Sequence, residues 1–384
     1  MASKEKNKKV IILGGYGNFG KRISENLSKQ SNITLIVSGR SLAKAEHLVE
    51  ALTQNAKAEL NAQVLDIYDL ELTEKLKTLA VDNVIHTCGP FQGQDYCVAQ
   101  ACINVGAHYI DLADGTEFVC GITELDEQAK KNNCFVISGA SSVPGLSSTV
   151  IDHFQNEFKA IESIDISIAP GNQAERGEAT VRAILSYTGH PFKSFKDGQW
   201  QNVFGWMNSE KKDIGSYVGK RWVANVDVPD LQLFPKRYKV TKRVSFKAGL
   251  ELAFLHFGMQ FMAYFSKIGL IKDWSKFTKL IVSASNWFIR LGTDKGGMLV
   301  TIKGQSKKNL NKKIKWQLHA DNGIGPYIPT MSAIILARKL IDGGLHQYGA
   351  MPCLGMFNLS EFENYIEDFD ITTNVVISED KSVG

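Results

Sequence analysis

Along the first third of the chain, short apolar runs alternate with segments of helical period. Residues 10–13 are apolar, three of the four β-branched, and they run straight into glycine. Such a run predicts a strand buried on both faces. In residues 21–30, Ile23 and Leu27 stand four apart with polar residues between them, which predicts an amphipathic helix. The alternation then repeats. Strands are expected at 33–37, 62–66, 84–88, 108–112 and 135–138, and helices at 43–52, 70–79, 96–105 and 123–132. Six strands interleaved with helices predict an α/β fold, a doubly wound parallel sheet of the Rossmann type. Ligands of such sheets bind beyond the carboxyl ends of the strands.

Beyond Pro144 the pattern changes. Residues 161–169 alternate apolar and polar, which predicts a half-exposed strand. A short helix is expected at 181–188 and two further strands at 298–303 and 314–319. The lysine-rich stretch 304–313 between them reads as an anion patch or a solvated hairpin loop. No aromatic residue interleaves its lysines, which favours the hairpin. The mixture predicts an α+β domain, so the expected division is 1–146 for dinucleotide binding and 147–384 for substrate and dimerisation.

Within that second part, residues 252–266 carry no fixed charge and are rich in Phe and Met. A membrane span needs roughly 18–20 apolar residues. Here Glu251 and Lys267 bracket the run, and His256 and Gln260 interrupt it. A second apolar, aromatic stretch follows at 280–291. The segment 250–291 is read first as a buried helical pair or a homodimer interface. A peripheral membrane contact, or a mouth for an apolar substrate, is the alternative. Lys267, Lys272, Lys276 and Lys279 suit an anionic lipid surface, and equally suit water.

Composition narrows the classes. A chain of 384 residues leads us to expect two domains, and 44% hydrophobic with 22% charged residues is an ordinary globular balance. A net charge of +4 is too small to argue for nucleic acid. The six cysteines (88, 97, 102, 120, 134 and 353) have no metal-ligand spacing, so no metal is expected and a reduced, cytoplasmic compartment is. The apolar run after the Lys-rich start is only four residues long, which suits a strand and not a signal peptide.

The chemistry begins at Gly15-x-Gly17-x-x-Gly20. In a strand–turn–helix context the first glycine permits the turn, the second admits a pyrophosphate, and the third lets helix and strand pack closely. The phosphates would sit on the helix N-terminus. A P-loop nearly fits as well, but Arg22 stands where that loop needs Ser or Thr. Tyr238-x-x-x-Lys242 has the spacing of a short-chain dehydrogenase base, yet it lies far outside the first domain and is read as chance. At the end of the second expected strand, NAD binding usually needs Asp or Glu. This chain has Ser38, Gly39, Arg40 and Ser41, groups suited to a 2′-phosphate, so NADP is expected rather than NAD. Asp66 stands where adenine is usually approached, or is a cap or turn residue.

Several segments together resemble the saccharopine dehydrogenase-like oxidoreductases, in particular their small bacterial and lipid-associated relatives. They are GGYGNFG at 14–20, GR at 39–40, HTCGPF at 86–91, GAHYIDLADGTEF at 106–118 and SGASSVPGLSS at 138–148. GEAT at 177–180, KRWVANVDVPDLQLFP at 220–235 and LHADNGIGPYIPT at 318–330 extend the likeness. The resemblance implies a Rossmann domain followed by an α+β substrate domain, and hydride transfer to or from a C–N or C–O centre. It implies cofactor contacts at Gly15, Gly17, Asn18, Phe19, Gly20, Arg40, Cys88, Gly89 and Pro90. One departure matters. Val143 stands where saccharopine reductases carry an acidic residue before the Pro-Gly, so saccharopine itself is not the expected substrate.

Proton donors near the strand ends would be His86, His108, Tyr109, Asp111 and Asp114, with Asp111 and Asp114 the catalytic candidates. Arg176 and Arg182, with Glu178, could bind a substrate carboxylate, or could belong to a surface strand and helix with ordinary ion pairs. Cys88 reads as a packed thiol, since nothing cationic adjoins it. The expectation is an NADP-dependent oxidoreductase acting on a small or apolar substrate. A non-catalytic NADP sensor and a membrane-peripheral scaffold are the alternatives.

Overall fold

The structure, a computed structural model, describes residues 7–380. The chain opens with β1 (Lys8–Leu13), α1 (Asn18–Leu27), β2 (Ile33–Gly39), α2 (Leu42–Thr53) and β3 (Glu59–Val64). It continues with α3 (Leu72–Leu79), β4 (Asn83–His86), α4 (Cys97–Val105), β5 (His108–Asp111), α5 (Thr116–Gly121), α6 (Asp126–Lys131) and β6 (Phe135–Ser138). All six strands run parallel, and β1 lies between β2 and β4. The continuous apolar runs mark the central strands. Val10, Ile11 and Ile12 of β1 are completely buried, as are Leu35 and Val37 of β2. Several expected boundaries move by up to three residues, α1 among them, and one departure has a clear reason. β3 starts earlier than expected because it is an edge strand, largely exposed, and carries no apolar run. The stretch expected as one helix at 123–132 is a 3₁₀ turn at Ile122–Leu125 followed by α6, and α5 precedes it as a helix the sequence reading did not expect.

The second stretch holds α7 (Ser147–Phe154), β7 (Phe158–Ala169), α8 (Glu178–Tyr187), β8 (Pro191–Lys196), β9 (Gln199–Phe204), β10 (Glu210–Asp213) and β11 (Lys220–Asn225). Then come α9 (Asp230–Arg237), β12 (Arg243–Ala248), α10 (Ala253–Lys267), α11 (Thr278–Asn286), β13 (Gly296–Ser306) and β14 (Asn311–Ala320). After these the chain forms α12 (Ile328–Ile341), β15 (Gly349–Pro352), α13 (Leu359–Ile366) and β16 (Ile371–Asp380). The second sheet has the order β10-β11-β12-β7-β13-β14-β16, with β8 on β12 and β9 on β8.

The two sheets belong to two compact units, one running to Gly145 and taking in Tyr327–Phe357, the other holding Leu146–Pro326 and the chain from Asn358 onward. The expected division at 146/147 therefore needs correction, because residues 327–357 join the first unit. Strand β15 pairs in parallel with β6 and becomes the seventh strand of the first sheet. Helix α12 joins because nine of its fourteen residues are buried and its polar ends bond to α1. The Tyr327 hydroxyl donates to Glu25 at 2.9 Å, and Arg338 donates to the Asn26 side chain at 3.0 Å.

Two readings of the second unit are corrected, and the hairpin read at 304–313 is found with longer strand arms. Strand β7 is not half-exposed. It lies between β12 and β13, so its polar phase at Ser163, Asp165 and Ser167 is buried as well. The Asp165 carboxylate is satisfied there by Arg243 at 2.7 Å and Ser245 at 2.5 Å. Most of the lysine-rich stretch is strand, the antiparallel hairpin of β13 and β14. Within it Lys312 is buried between Glu157 at 2.8 Å and Glu379 at 2.9 Å. Finally, 250–291 is not a buried helical pair, since α10 and the residues after it leave many aromatic side chains exposed. Among the described residues no helix is long and apolar enough to cross a membrane.

Candidate dinucleotide-binding site

The glycine turn leaves β1 at Leu13 and enters α1 at Asn18. Its left-handed residue is Gly14, at φ 78°, and not Gly15. Gly15 has a different reason to be glycine: a Cβ there would meet Val37 Cγ1 at 2.9 Å, and its N–H donates to the Ser38 carbonyl at 2.8 Å. A Cβ on Gly20 would collide with the Gly14 carbonyl oxygen and lie 2.8 Å from Gly15 Cα. Gly17 occupies the N-cap of α1 and offers no side chain, so the first helical N–H groups, from Asn18 to Gly20, lack an intrahelical acceptor. That is the arrangement that receives a pyrophosphate. The Asn18 side chain is itself held by the buried Arg22 guanidinium, which stacks over the Tyr327 ring. Phe19 sits half-buried in the first turn of the helix.

At the end of β2, Arg40 is exposed, with no hydrogen-bond partner among the described residues. Ser41 caps α2, accepting the Lys44 N–H at 3.4 Å. Ser38 does not belong with them. It is fully buried and its hydroxyl donates to the Ile12 carbonyl at 2.9 Å, so it fastens β2 to β1 and has nothing to offer a cofactor. A residue missed by sequence reasoning takes its place. Tyr16 packs its ring over Gly39, and its hydroxyl accepts the Ser41 N–H at 2.9 Å. The only signal was its position between the glycines. Asp66, after β3, accepts the Tyr68 N–H at 3.1 Å and so acts as a turn residue.

The end of β4 is pinned to the same turn. Thr87 donates its hydroxyl to the Leu13 carbonyl at 2.8 Å. Gln94, also missed, donates to the carbonyls of Cys88 and Pro90 at 2.8 and 2.7 Å, fixing the path of Cys88, Gly89 and Pro90. Burial pushes the Cys88 thiol up to about 12, against a smaller opposing pull from Arg40, so it stays protonated at neutral pH.

The acid–base candidates separate. His86 is buried, its Nδ1 3.0 Å from the Tyr109 hydroxyl, and desolvation lowers its pKa to about 3, leaving it neutral. His108 is the first residue of β5 and so lies at the wrong end of the sheet; its ring accepts the Phe135 N–H at 3.3 Å. The cavity of about 420 Å³ lined by Lys8, Asp82 and His108 opens at that amino-terminal end too. Asp111 is fully buried. Its Oδ1 accepts the N–H groups of Gly139 at 2.8 Å and Ala113 at 2.9 Å and the Ser138 hydroxyl at 3.0 Å. Burial still raises its carboxyl to about 6, the hydrogen bonds opposing. Asp111 is thus a latch between the ends of β5 and β6, and its reading as an accessible proton donor is corrected. Asp114 is half-buried, with Gln92 donating to its Oδ1 at 3.1 Å, and desolvation raises its pKa.

The two expected substrate arginines lie in the second unit and are occupied. Arg176 donates to the Asn172 side chain at 2.6 Å and its carbonyl at 2.9 Å. Arg182 pairs with Glu178 one helical turn away, at 2.7 Å. The Tyr238–Lys242 pair is no base either, since Tyr238 donates to the Ser148 carbonyl and Lys242 pairs with Glu162.

Residues 10–137 match the family described as the saccharopine dehydrogenase NADP binding domain. The structure is similar to the apo, histidine-tagged saccharopine dehydrogenase (L-Glu forming) from Saccharomyces cerevisiae. That likeness has a TM-score of 0.69 at 14% identity, covering 97% of this chain and 100% of the yeast one. A short-chain dehydrogenase from Sphingobium yanoikuyae in complex with NADPH aligns at a TM-score of 0.27 and 12% identity, over 34% of this chain and 69% of its own. No curated protein matches the chain. The glycine contacts, the open N-terminus of α1 and the exposed Arg40 fit the dinucleotide that the matched family binds. Residues 10–137 are accordingly similar to the saccharopine dehydrogenase NADP binding domain, and the fold is similar to that of the yeast enzyme.

Proposed function

We propose that the chain is an NADP-dependent oxidoreductase that moves hydride between NADP(H) and a small or apolar substrate at the carboxyl ends of β4, β5 and β6. The observation that carries this reading is the combination of a glycine turn closed to any Cβ with an exposed, unpartnered Arg40 at the end of β2. Gly14, Gly15, Gly17 and Gly20 keep the pyrophosphate path clear, and the N–H groups of Asn18 to Gly20 hold it. Arg40 and Ser41 take the 2′-phosphate, and Tyr16 keeps the backbone between them in place. Cys88, Gly89 and Pro90, fixed by Gln94, border the nicotinamide end. When bound, the cofactor supplies or receives the hydride.

The proton falls to Asp114. Desolvation keeps its carboxyl protonated to higher pH than a solvated one, and Gln92 fixes the orientation. Cys88 takes no covalent part, because its thiol stays protonated. Val143 before Pro144 leaves an apolar group where an amino-diacid reductase has an acid, which supports a substrate other than saccharopine.

The test is NADPH oxidation by the full chain against imines, 2-oxo acids and enoyl thioesters. Turnover is expected with at least one class, and Asp114→Asn should lower kcat by about 10²–10⁴-fold with NADPH affinity unchanged. Tight NADPH binding without oxidation across the whole panel would instead identify an NADP sensor.

A further inference from the structure

Helix α10 is amphipathic the wrong way round. Its buried residues are His256, Ala263 and Ser266, small or polar groups. Its exposed large apolar residues, counting Ile268 at its C-cap, are Phe254, Phe257, Phe261, Tyr264 and Ile268, each between 41% and 63% accessible. These five recur at steps of three and four, so they form a single stripe along one face. The orientation is fixed from within: His256 bonds to the Ser209 hydroxyl at 2.9 Å and packs its ring edge-on to the buried Trp206. Beyond the helix Leu270, Leu280 and Trp287 are exposed at 66%, 68% and 82%, and the Phe254 ring packs edge-on against Phe288, which joins the two segments. Monomeric proteins rarely leave contiguous apolar patches of this kind uncovered.

Charge identifies what covers it. Between Leu252 and Gly292 the basic residues are Lys267, Lys272, Lys276, Lys279 and Arg290, and the only acid is Asp273. All five cations are exposed, whereas the Asp273 carboxylate accepts the Ser275 N–H and caps a 3₁₀ turn. A second copy of this chain suits the face poorly, because a two-fold contact would set five cations against five. An anionic lipid surface suits it well. Aromatic and aliphatic groups enter the headgroup–acyl boundary while lysine stems hold their ammonium groups at phosphate level. The fifteen residues of α10 reach about 22 Å, short of the ~30 Å hydrocarbon core, so the helix must lie in the membrane plane.

We propose that the face formed by α10 and the segment up to Leu291 docks the protein on an anionic membrane surface. The test is vesicle flotation of the full chain with phosphatidylcholine alone and with about 30% phosphatidylserine, at low and high salt. The chain should float with the anionic vesicles and at least tenfold less with the neutral ones. Joint Phe257→Ser and Phe261→Ser substitution should cut flotation at least tenfold with the native circular dichroism spectrum retained, although loss of the Phe257 contact with the Trp222 ring should lower the melting temperature modestly. Joint Lys276→Glu and Lys279→Glu substitution should cut it several-fold and remove most of its salt dependence. The proposal is overturned by absence of flotation with either vesicle, or by flotation that survives loss of the two phenylalanines. It is equally overturned if sedimentation finds a dimer in free solution that the Phe pair dissociates. The readout involves no NADPH, so its failure leaves the oxidoreductase reading standing.

Discussion

The Tyr16 hydroxyl accepts the Ser41 N–H at 2.9 Å, and through that bond the glycine turn after β1 shapes the end of β2. The hydroxyl end of the ring sits so close to Gly39 that a Cβ there would come within 2.6 Å of it. Arg40, between Gly39 and Ser41, is therefore presented from a backbone that the turn itself holds.

Cofactor discrimination should follow from this arrangement. Arg40→Asp is expected to weaken NADPH binding by about 100-fold, the scale of a lost charge-assisted phosphate contact plus a like charge. NADH binding should change by less than about threefold, since it has no 2′-phosphate. Fluorescence titration with both cofactors decides the matter, and equal losses would remove Arg40 from the phosphate site.

Two glycines should respond to alanine with opposite signs. Gly20→Ala drives a methyl group into the Gly14 carbonyl, which is backbone and cannot swing away, so a loss of about 3 kcal/mol and of NADPH binding is expected. Gly258 lies within α10 with nothing within 4 Å of its added Cβ. There alanine should stabilise by about 0.5–1 kcal/mol through helix propensity and a less flexible unfolded chain. Urea unfolding of both variants checks the pair.

Asp111 should leave a mark on the pH dependence of stability. Its carboxyl titrates near 6 in the folded chain, raised by burial, and near 4 when unfolded. Between those values the folded chain binds the extra proton, so stability falls as pH rises through about 4 to 6. Above that window both states are ionised and the contribution is constant. Asp111→Asn keeps an acceptor for Gly139, Ala113 and Ser138 but cannot ionise. The stability of the parent minus that of the variant should fall by up to roughly 3 kcal/mol across the window. A difference that rises with pH would contradict the assignment.

The parallel sheet was legible because its central strands are buried on both faces and read as unbroken apolar runs. Lengths were less so where a strand sits at an edge, as β3 does. Strand β15 is four residues with Gly at one end and Pro at the other, and nothing in so short a run announces a strand. Strand β7 shows the opposite failure: alternation normally means one wet face, but here ion pairs and hydroxyl contacts satisfy the polar phase in a buried layer. Of the dinucleotide site, the glycines and Arg40 follow from backbone sterics and charge, which a sequence carries openly. Tyr16, Gln94 and the latch role of Asp111 depend on hydrogen bonds across separate strands, which spacing along the chain does not encode.

The seventh strand has a consequence for synthesis. Residues forming the second unit are translated between Gly145 and β15, so a nascent first unit must wait with the edge of β6 unpaired and the α12 side of α1 uncovered. At roughly 5–20 residues per second, that interval of about 200 residues lasts on the order of 10–40 s. An open parallel edge is a site for wrong pairing. Ribosome-bound intermediates ending between residues 146 and 348 would thus be natural clients of chaperones, and a fragment cut at residue 146 would be a poor substitute for the intact cofactor domain.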